Sequence, residues 1–501
     1  MARWLTGALA ALALGLGTVA AMAATPATGL KVHTDKGWVA GQVEGPARVF
    51  RAIPYAAPPV GPLRWRAPQP AKPWAGVRPA LTDGPACPQR VIPGRYNLGG
   101  YQGPISEDCL TLDVFAPRHA RRAPVMVWIF GGGDVAGADS IAPNDGRFFA
   151  RDGVVLVAMN YRLGALGFFA HPALTREASA SQPLANYGLM DQIAALNWVR
   201  RNIAAFGGDP DNVTIFGESA GGANVLALMV APSARGLFEK ATVQSGGGWG
   251  RPFTLADAEK AGVGLAEKLG LPEDATAAQL RALPVDKIVA AERRAGPIVD
   301  GRLLRETAAE GFAKGDEARA PLIIGSNTWE ASLLPRSDYA AYAAAASPAL
   351  RAAYPKDASD PAKLAQDLFT DGVMGAPARW FAAKSKAPAW LYEFSYVRVA
   401  KRGKIPGANH TSENPYVFDT QTIIPGYSKE IVPEDRAVAA FMHSCWVSFA
   451  KTGAPDCEAD GAAWPRYESA GDELMDFQAT PAIVRHYRKT QLDAQDAATG
   501  H

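Results

Sequence analysis

The stretch from Thr214 to Met229 constrains the fold of this chain most, because it joins a strand to a helix through a glycine-flanked serine. A β-rich run ends at Phe216, glycines stand two residues either side of Ser219, and a helix-compatible run follows. This is the layout of a nucleophile elbow, in which a sharp turn lifts a serine hydroxyl above the end of a sheet. A glycine-rich β–α turn without chemistry explains the same pentapeptide, so the surrounding sequence has to decide.

Strand-like and helix-like stretches alternate on both sides of Ser219. The stretches with strand character are 110–115, 125–130, 154–159, 241–245, 322–325 and 389–394, and helical spacing covers 188–203 and 434–451. This alternation predicts an α/β fold with a central, mostly parallel sheet and helices on both faces. Helical stretches near 254–295 and 338–385 predict an inserted helical layer. We expect the helix at 434–451 to close the fold and the polar tail from about Leu492 to be frayed.

The first 23 residues differ in character from the rest. Arg3 precedes an apolar stretch from Leu5 to Ala20, and Ala21-Met22-Ala23 forms a small-residue cleavage site. This pattern predicts a secretory signal peptide, with an uncleaved anchor as the alternative. The apolar stretch is shorter than a membrane span, so we expect no stable membrane anchor. The prediction is a secreted or periplasmic protein whose residues 24–501 form a single domain.

Composition and cysteine usage narrow the choice of partners. The formal net charge is +2 with 20% charged residues, which does not suggest a nucleic-acid partner. Export favours pairing of the four cysteines, for which three connectivities exist. Sequential pairing is expected, Cys87 with Cys109 and Cys445 with Cys457. No cysteine pair has the C-x-x-C spacing of a zinc site, so no metal is expected.

Ser219 needs a base and an acid, each on a loop after a strand and in the chain order Ser, acid, His. His410 lies in a loop just past strand 389–394, whereas His443 lies within a helix and His486 and His501 lie near the end of the chain. For the acid, Glu330 follows strand 322–325. Asp300, whose neighbouring glycine suggests a turn, and Glu413, close to His410 in sequence, remain alternatives.

Three glycines, 131–133, follow the apolar strand 125–130. Backbone N–H groups unshielded by side chains are what the stabilisation of an oxyanion requires. A plain loop is the other interpretation of this run.

Ordered motifs along nearly the whole mature chain resemble the type-B carboxylesterase family, which includes bacterial para-nitrobenzyl esterases and the cholinesterases. The matching stretches are 53–56, 58–61, 106–110, 160–164, 206–210, 216–221, 236–238, 244–246 and 407–410. The resemblance implies the α/β-hydrolase fold, a small-molecule ester substrate and no cofactor. It implies Ser219 as nucleophile, Glu330 as acid and His410 as base. The oxyanion donors it implies are the N–H groups of Gly132, Gly133 and Ala220.

The resemblance also implies the Cys87–Cys109 disulfide and a supporting hydrogen bond from Ser245, for which a purely structural role is the alternative. Two residues depart from the family pattern, Phe130 before the glycines and Asp134 after them. A carboxylate at 134 opposes the developing negative charge unless it points away or is neutralised. Asp134 is therefore either a surface or turn residue, or it recognises a hydroxyl or cationic group of the substrate.

The expected protein is a secreted serine hydrolase that cleaves carboxylic esters through an acyl-enzyme. Trp249 and Trp329 are candidates for the walls of the acyl or alcohol pockets, or else belong to the core. We expect a monomer, with an oligomer as the alternative. Other functions left open are a catalytically inactive binding or adhesion protein and an esterase narrowed to a bulky natural ester such as a lipid, a plant phenolic or a mycotoxin.

Overall fold

The computed structural model describes residues 29–90, 101–179, 182–291, 295–357, 359–459 and 461–500. The predicted signal peptide, residues 1–23, lies outside the described residues. Within these ranges no helix has both the length and the hydrophobicity needed to cross a membrane.

The strands are numbered in chain order. They are β1 Lys31–Thr34, β2 Gly37–Ala40, β3 Gln42–Glu44, β4 Ala47–Pro54, β5 Val77–Pro79, β6 Thr111–Pro117, β7 Ala123–Ile129, β8 Val155–Met159, β9 Gly208–Glu218, β10 Lys240–Gln244, β11 Leu322–Asn327, β12 Ala389–Phe394, β13 Glu458–Ala459, β14 Ala462–Ala463, β15 Glu473–Phe477 and β16 Ala482–Arg485. In the described residues the largest sheet has eleven strands in the order β16-β15-β12-β11-β10-β9-β7-β8-β6-β4-β3.

The middle of this sheet is parallel, as the sequence predicts. Strands β8, β7, β9, β10, β11, β12 and β15 run in one direction. The flanking strands β6, β4, β3 and β16 pair antiparallel to their neighbours. Every residue of β8, β10, β11 and β12 is buried. Successive side chains of a strand point to opposite faces, so both faces of the sheet are covered.

The helices are also numbered in chain order. They are α1 Arg147–Arg151, α2 Gly164–Gly167, α3 Pro172–Glu177, α4 Tyr187–Asn202, α5 Ala220–Val230, α6 Leu255–Lys268, α7 Ala277–Arg281, α8 Val285–Ala291, α9 Ala308–Lys314, α10 Tyr339–Ala345, α11 Pro348–Ala352, α12 Pro361–Thr370, α13 Ala376–Lys384, α14 Asn414–Val417, α15 Pro433–Thr452 and α16 Lys489–Thr499. A π-helical turn, Asp371–Gly375, joins α12 to α13.

The C-terminal region differs from the sequence prediction. Helix α15 does not close the fold, because β15 and β16 follow it and extend the sheet. The tail from Leu492 is not frayed but forms most of α16, in which Leu492 is 4% exposed. The Gln495 amide donates to the Tyr354 hydroxyl at 2.9 Å, and Arg379 lies 3.1 Å from Asp496. Polar side chains with partners distant in sequence therefore dock this helix.

The two expected disulfides are present. Cys87 pairs with Cys109 and Cys445 with Cys457. The first closes the segment that precedes β6, and the second joins α15 to the start of β13.

Candidate active site

Ser219 stands at the turn between β9 and α5 with backbone angles φ 57° and ψ −127°. This is a strained conformation for a residue with a side chain, and strain of this kind is concentrated at functional sites. The turn requires close packing, since a Cβ atom at Gly221 would lie 2.0 Å from the carbonyl oxygen of Ile129. The glycine pattern found in the sequence therefore has a steric cause, and it places Ser219 at the carboxyl edge of the sheet, beside the end of β7.

Glu330 and His410 come together at the same edge. Glu330 follows β11, and its Oε2 lies 2.5 Å from His410 Nδ1. The backbone holds this contact in place, because Trp329 N–H donates to the Ala408 carbonyl at 2.8 Å and His410 N–H donates to the Ser332 hydroxyl at 3.0 Å. A carboxylate can only accept here, so Nδ1 carries the hydrogen and Nε2 is the nitrogen available as a base.

The second oxygen of Glu330 is also satisfied. Its Oε1 accepts from the Ser245 hydroxyl at 2.5 Å and from the Asn327 backbone N–H at 2.8 Å. Ser245 follows β10, which lies between β9 and β11 in the sheet. Three neighbouring strands therefore end at Ser219, Ser245 and the residues that precede Glu330, and this places the predicted supporting serine in direct contact with the predicted acid.

The alternative residues lie in other settings. Asp300 accepts hydrogen bonds from the backbone N–H groups of Arg302 and Leu304 in its own turn, and from the distant Leu184. The His443 ring nitrogens contact the Val417 carbonyl and Asp152.

Glu413 is fully buried near the site, and its carboxylate accepts hydrogen bonds from the side-chain amides of Asn327 and Gln244. Glu413 therefore belongs to the polar network around His410.

Glu218, the residue before Ser219, is a member of the site that the sequence analysis did not single out. Its Oε1 lies 3.0 Å from His410 Nε2. Burial lowers the pKa of His410, but the charges of Glu218 and Glu330 outweigh it and raise that pKa to about 10. Burial raises the pKa of Glu218 to about 8. Both groups therefore hold their protons to higher pH than isolated side chains do, and the free base at Nε2 becomes more abundant as pH rises.

Replacing Glu218 with glutamine should therefore shift the acidic limb of the activity profile to lower pH. Removal of one negative charge beside Nε2 lowers the pKa of His410, by roughly one unit or more. The measurement is kcat/KM of a neutral ester against pH, which reports the groups of the free enzyme. The exposed Glu458→Gln serves as the matched control. An unchanged or upward-shifted limb in Glu218→Gln would contradict the electrostatic coupling.

The predicted oxyanion donors are backbone groups with no competing acceptor. The N–H groups of Gly132, Gly133 and Ala220 donate no hydrogen bond within the described part of the chain. Gly132 has φ 102°, and a Cβ there would lie 2.1 Å from the Ala136 carbonyl oxygen. A Cβ at Gly131 would lie 2.9 Å from the Ser219 Cβ. The glycine run therefore packs directly against the serine, and α5 begins at Ala220 with its first N–H groups unpaired.

Asp134 is a buried residue, and its carboxyl group contacts Asn224 on α5 and Tyr161. Its side chain is 3% exposed and accepts a hydrogen bond from the Asn224 amide at 2.8 Å. The Tyr161 hydroxyl, which donates to the Phe130 carbonyl at 2.6 Å, lies 3.4 Å from the same Asp134 oxygen. Burial raises the pKa of Asp134 to about 7. The carboxyl group is thus directed to α5 and Tyr161 and is partly neutral at neutral pH. Phe130, the other departure from the family pattern, stacks on Tyr161 with ring centroids 4.5 Å apart.

The Asp134→Asn variant should be more stable than the parent, and the gain should grow with pH as the Asp134 carboxyl ionises. A buried carboxyl with a raised pKa stabilises the fold while it is protonated, and this contribution is lost as pH rises from the unfolded-state pKa towards 7. The asparagine oxygen still accepts from Asn224. We expect a gain on the order of 2 to 4 kcal/mol near pH 8 and a smaller one near pH 5. Thermal unfolding of both proteins at the two pH values measures it, with the exposed Asp274→Asn as control. Equal gains at both pH values would contradict the assignment.

A cavity of about 510 Å³ adjoins these residues. Its wall includes Gly131 and Gly132, Glu218, and the two neighbours of His410, Asn409 and Thr411. Ser219 and His410 are not themselves among its lining residues. The rest of the wall comes mainly from the loop around 396–405 and from residues 411–427.

The two tryptophans occupy other places. Trp329 is half-buried, and its indole N–H donates to Gln366 at 2.9 Å. Trp249 is also half-buried and contacts Trp380. Neither lines the cavity beside Glu218, and a role for them in a substrate pocket stays a prediction. Among the described residues, no group of three or more His, Cys, Asp or Glu side chains could hold a metal ion.

Comparison with known proteins adds to this geometry. The sequence model described as the carboxylesterase family matches residues 28–349 and 338–495. The fumonisin B1 esterase of Sphingopyxis macrogoltabida is 37% identical over 494 residues, which cover 93% of this chain and 89% of that protein. The para-nitrobenzyl esterase of Bacillus subtilis (strain 168) is 36% identical, over 89% of this chain and 94% of that protein. A solved thermophilic PNB esterase superposes with a TM-score of 0.82 at 32% identity, covering 93% of this chain and 100% of its own.

Proposed function

The chain belongs to the carboxylesterase family and is an ester hydrolase, and we propose that it acts through Ser219, His410 and Glu330 with an acyl-enzyme intermediate. The observation that carries the proposal is the Glu330–His410 contact of 2.5 Å at the sheet edge where Ser219 sits in its strained turn. A carboxylate that fixes the histidine tautomer at the sheet edge that also carries a half-buried serine is the arrangement that nucleophilic acyl transfer needs.

In the proposed reaction, Nε2 of neutral His410 takes the Ser219 proton while Oγ bonds to the carbonyl carbon of the ester. The carbonyl electron pair moves onto oxygen, where the N–H groups of Gly132, Gly133 and Ala220 stabilise it. As the tetrahedral intermediate collapses, the C–O bond to the alcohol breaks and His410 returns the proton to that oxygen. Water then repeats the sequence on the acyl-enzyme, releasing the acid and restoring Ser219.

Glu330 and Ser245 act through His410 in this scheme. The Ser245 hydroxyl and the Asn327 N–H fix one oxygen of Glu330, so the other oxygen stays directed at Nδ1. Glu330 stabilises the imidazolium that forms when His410 accepts the serine proton. Ser245 is thus a positioning residue in the proposal.

We also propose that the protein works outside the cytoplasm. The two disulfides support this, because such bonds persist in oxidising compartments. The N-terminal sequence pattern points to the same destination. Comparing the mass of the exported protein with the cleavage site predicted at Ala23 tests the proposal.

A second candidate function is that of an esterase specific for a bulky natural ester. One relative, 37% identical, carries the name fumonisin B1 esterase, and the cavity of about 510 Å³ has the size of a site for a drug-sized ligand. A panel of esters that varies acyl length and alcohol size separates this candidate from a general esterase. Similar kcat/KM values for all esters of the panel would contradict a preference for a bulky natural ester.

The test of the proposed mechanism is a burst experiment with 4-nitrophenyl acetate. Rapid mixing should give a burst of 4-nitrophenolate close to one per active enzyme, followed by slower turnover, because acylation and deacylation are separate steps. Acid quenching and mass spectrometry should place the acetyl group on the peptide that contains Ser219. An acetyl group found only elsewhere, or turnover in the absence of any acylated enzyme, would contradict the assignment. A catalytically inactive binding protein gives neither burst nor turnover.

A further inference from the structure

The cavity beside Glu218 has an uneven distribution of charge. Its lining includes two cationic side chains, Arg398 and Lys401, and one carboxylic acid, Glu218. Glu218 is buried, and its Oε1 lies 3.0 Å from His410 Nε2. The cations lie on the loop after β12, whereas Glu218 and Gly132 form the part of the wall next to Ser219. A ligand that fills the cavity therefore meets positive charge on one side and Gly132, a predicted oxyanion donor, on the other.

Arg398 is held in the wall but is only partly satisfied. Its Nη2 lies 3.0 Å from Glu430 Oε2, and the Glu430 side chain is 52% exposed. Its guanidinium carbon lies 4.0 Å from the ring centroid of Tyr427, which also lines the cavity. The other terminal nitrogen, Nη1, is buried and has no hydrogen-bond partner in the described structure. A buried donor without an acceptor is destabilising, and a planar guanidinium suits a carboxylate.

Lys401 differs from the other cations of its loop. Arg402 pairs with Glu434, and the Lys404 ammonium donates to the Ala400 carbonyl. Lys401 is exposed, and its ammonium makes no ion pair or hydrogen bond with any residue that the structure describes. It nevertheless lines the cavity. Its charge therefore remains available to a ligand.

The rest of the wall suits the body of an organic ester. Apolar and aromatic side chains supply most of it, and they include Trp128, Ile141, Ile405 and Ile424. The Ser412 hydroxyl also lines the cavity and is buried with no partner in the described structure. Apolar walls with a few placed polar groups are typical of small-molecule sites.

We propose that this cavity binds a free carboxylate of the substrate through Arg398 and Lys401, so that the preferred substrates are esters that carry a second, unesterified carboxyl group. The inference rests on the proposed ester hydrolysis at Ser219. The uncharged part of the substrate packs on the apolar wall, and the ester group lies towards Gly132. Neutral esters lose the charged contact but keep the apolar one.

The test uses two matched pairs of esters. In the first, 4-nitrophenyl hydrogen adipate is compared with its methyl ester, so that the carboxylate belongs to the acyl part. In the second, 4-acetoxybenzoate is compared with its methyl ester, so that the carboxylate belongs to the alcohol part. The readout is the ratio of kcat/KM for the charged and neutral member of each pair. A charge-assisted contact predicts a ratio of roughly ten or more in at least one pair at low ionic strength, decreasing with salt.

The variants Lys401→Gln and Arg398→Met should each lower that ratio severalfold, and Lys404→Gln on the same loop should leave it as in the parent. Lys401 is exposed, so its variant remains informative if Arg398→Met fails to fold. If the parent enzyme hydrolyses the neutral esters but its ratio of kcat/KM for the charged and neutral ester is near or below one in both pairs, the inference is overturned and the proposed ester hydrolysis is not. An equal decrease in Lys404→Gln also overturns it. Failure to hydrolyse any member of either pair overturns the proposed function together with this inference.

Discussion

Ser219→Ala should lower kcat for an activated ester by about 10⁴- to 10⁶-fold. The variant lacks the Oγ that bonds to the acyl carbon, so no acyl-enzyme forms and the burst disappears with the turnover. Residual hydrolysis comes only from substrate binding and the oxyanion donors. Alanine retains the Cβ that the turn at φ 57° already accommodates, so the fold should be preserved.

Stopped-flow kinetics with 4-nitrophenyl acetate measures the loss, and circular dichroism with thermal unfolding checks the fold. Ser444→Ala is the matched control, because Ser444 is exposed on α15 and its hydroxyl only donates to the Phe441 carbonyl. It should match the parent enzyme in both rate and stability. A loss of less than tenfold in folded Ser219→Ala would show that another nucleophile carries the reaction.

The sequence predicts those parts of the site that depend on strand order. Glu330 and His410 each follow a buried strand, and the carboxyl ends of parallel strands meet at one edge of a sheet. Their contact at 2.5 Å therefore follows from local patterns that are readable along the chain. The turn at Ser219 can also be read from the sequence, because the close approach of β7 requires glycine at 221.

Other features depend on contacts between distant residues, and no local pattern reports them. Asp134 follows a glycine run and has the composition of a turn, yet Asn224 on α5 and Tyr161 after β8 bury it. Helix α16 has a polar sequence, and its docking depends on residues more than a hundred positions away.

The roles of Glu218 and of the two cavity cations also depend on contacts between distant residues, which no local sequence pattern reports. The direction of the Glu218 side chain is set by the strained turn that follows it, and that turn brings it to His410 Nε2. Arg398 and Lys401 have the appearance of ordinary surface cations in the sequence, and only the folded loop brings them into one wall.

Glu330→Gln should lower kcat by about 10⁴-fold while leaving the size of the side chain nearly unchanged. The physical reason lies in the partners of Glu330 Oε1, which accepts from the Asn327 backbone N–H at 2.8 Å. That group can only donate, so the glutamine must present its oxygen to Asn327 and its NH2 group to His410 Nδ1. Nδ1 then has to accept, the ring hydrogen moves to Nε2, and the nitrogen that faces the reaction is no longer a base.

The same logic separates Glu330 from the alternative acid. Asp300→Asn removes a carboxylate whose partners in the described residues are backbone N–H groups, in its own turn and at Leu184, so it should reduce stability but change kcat of the folded enzyme by no more than a few-fold. Steady-state kinetics over a range of pH compares the two variants. A wrong His410 tautomer lowers kcat at every pH, whereas a changed pKa moves the pH at which kcat rises or falls. A kcat for Glu330→Gln within tenfold of the parent, or a larger loss in Asp300→Asn, would assign the acid to another residue.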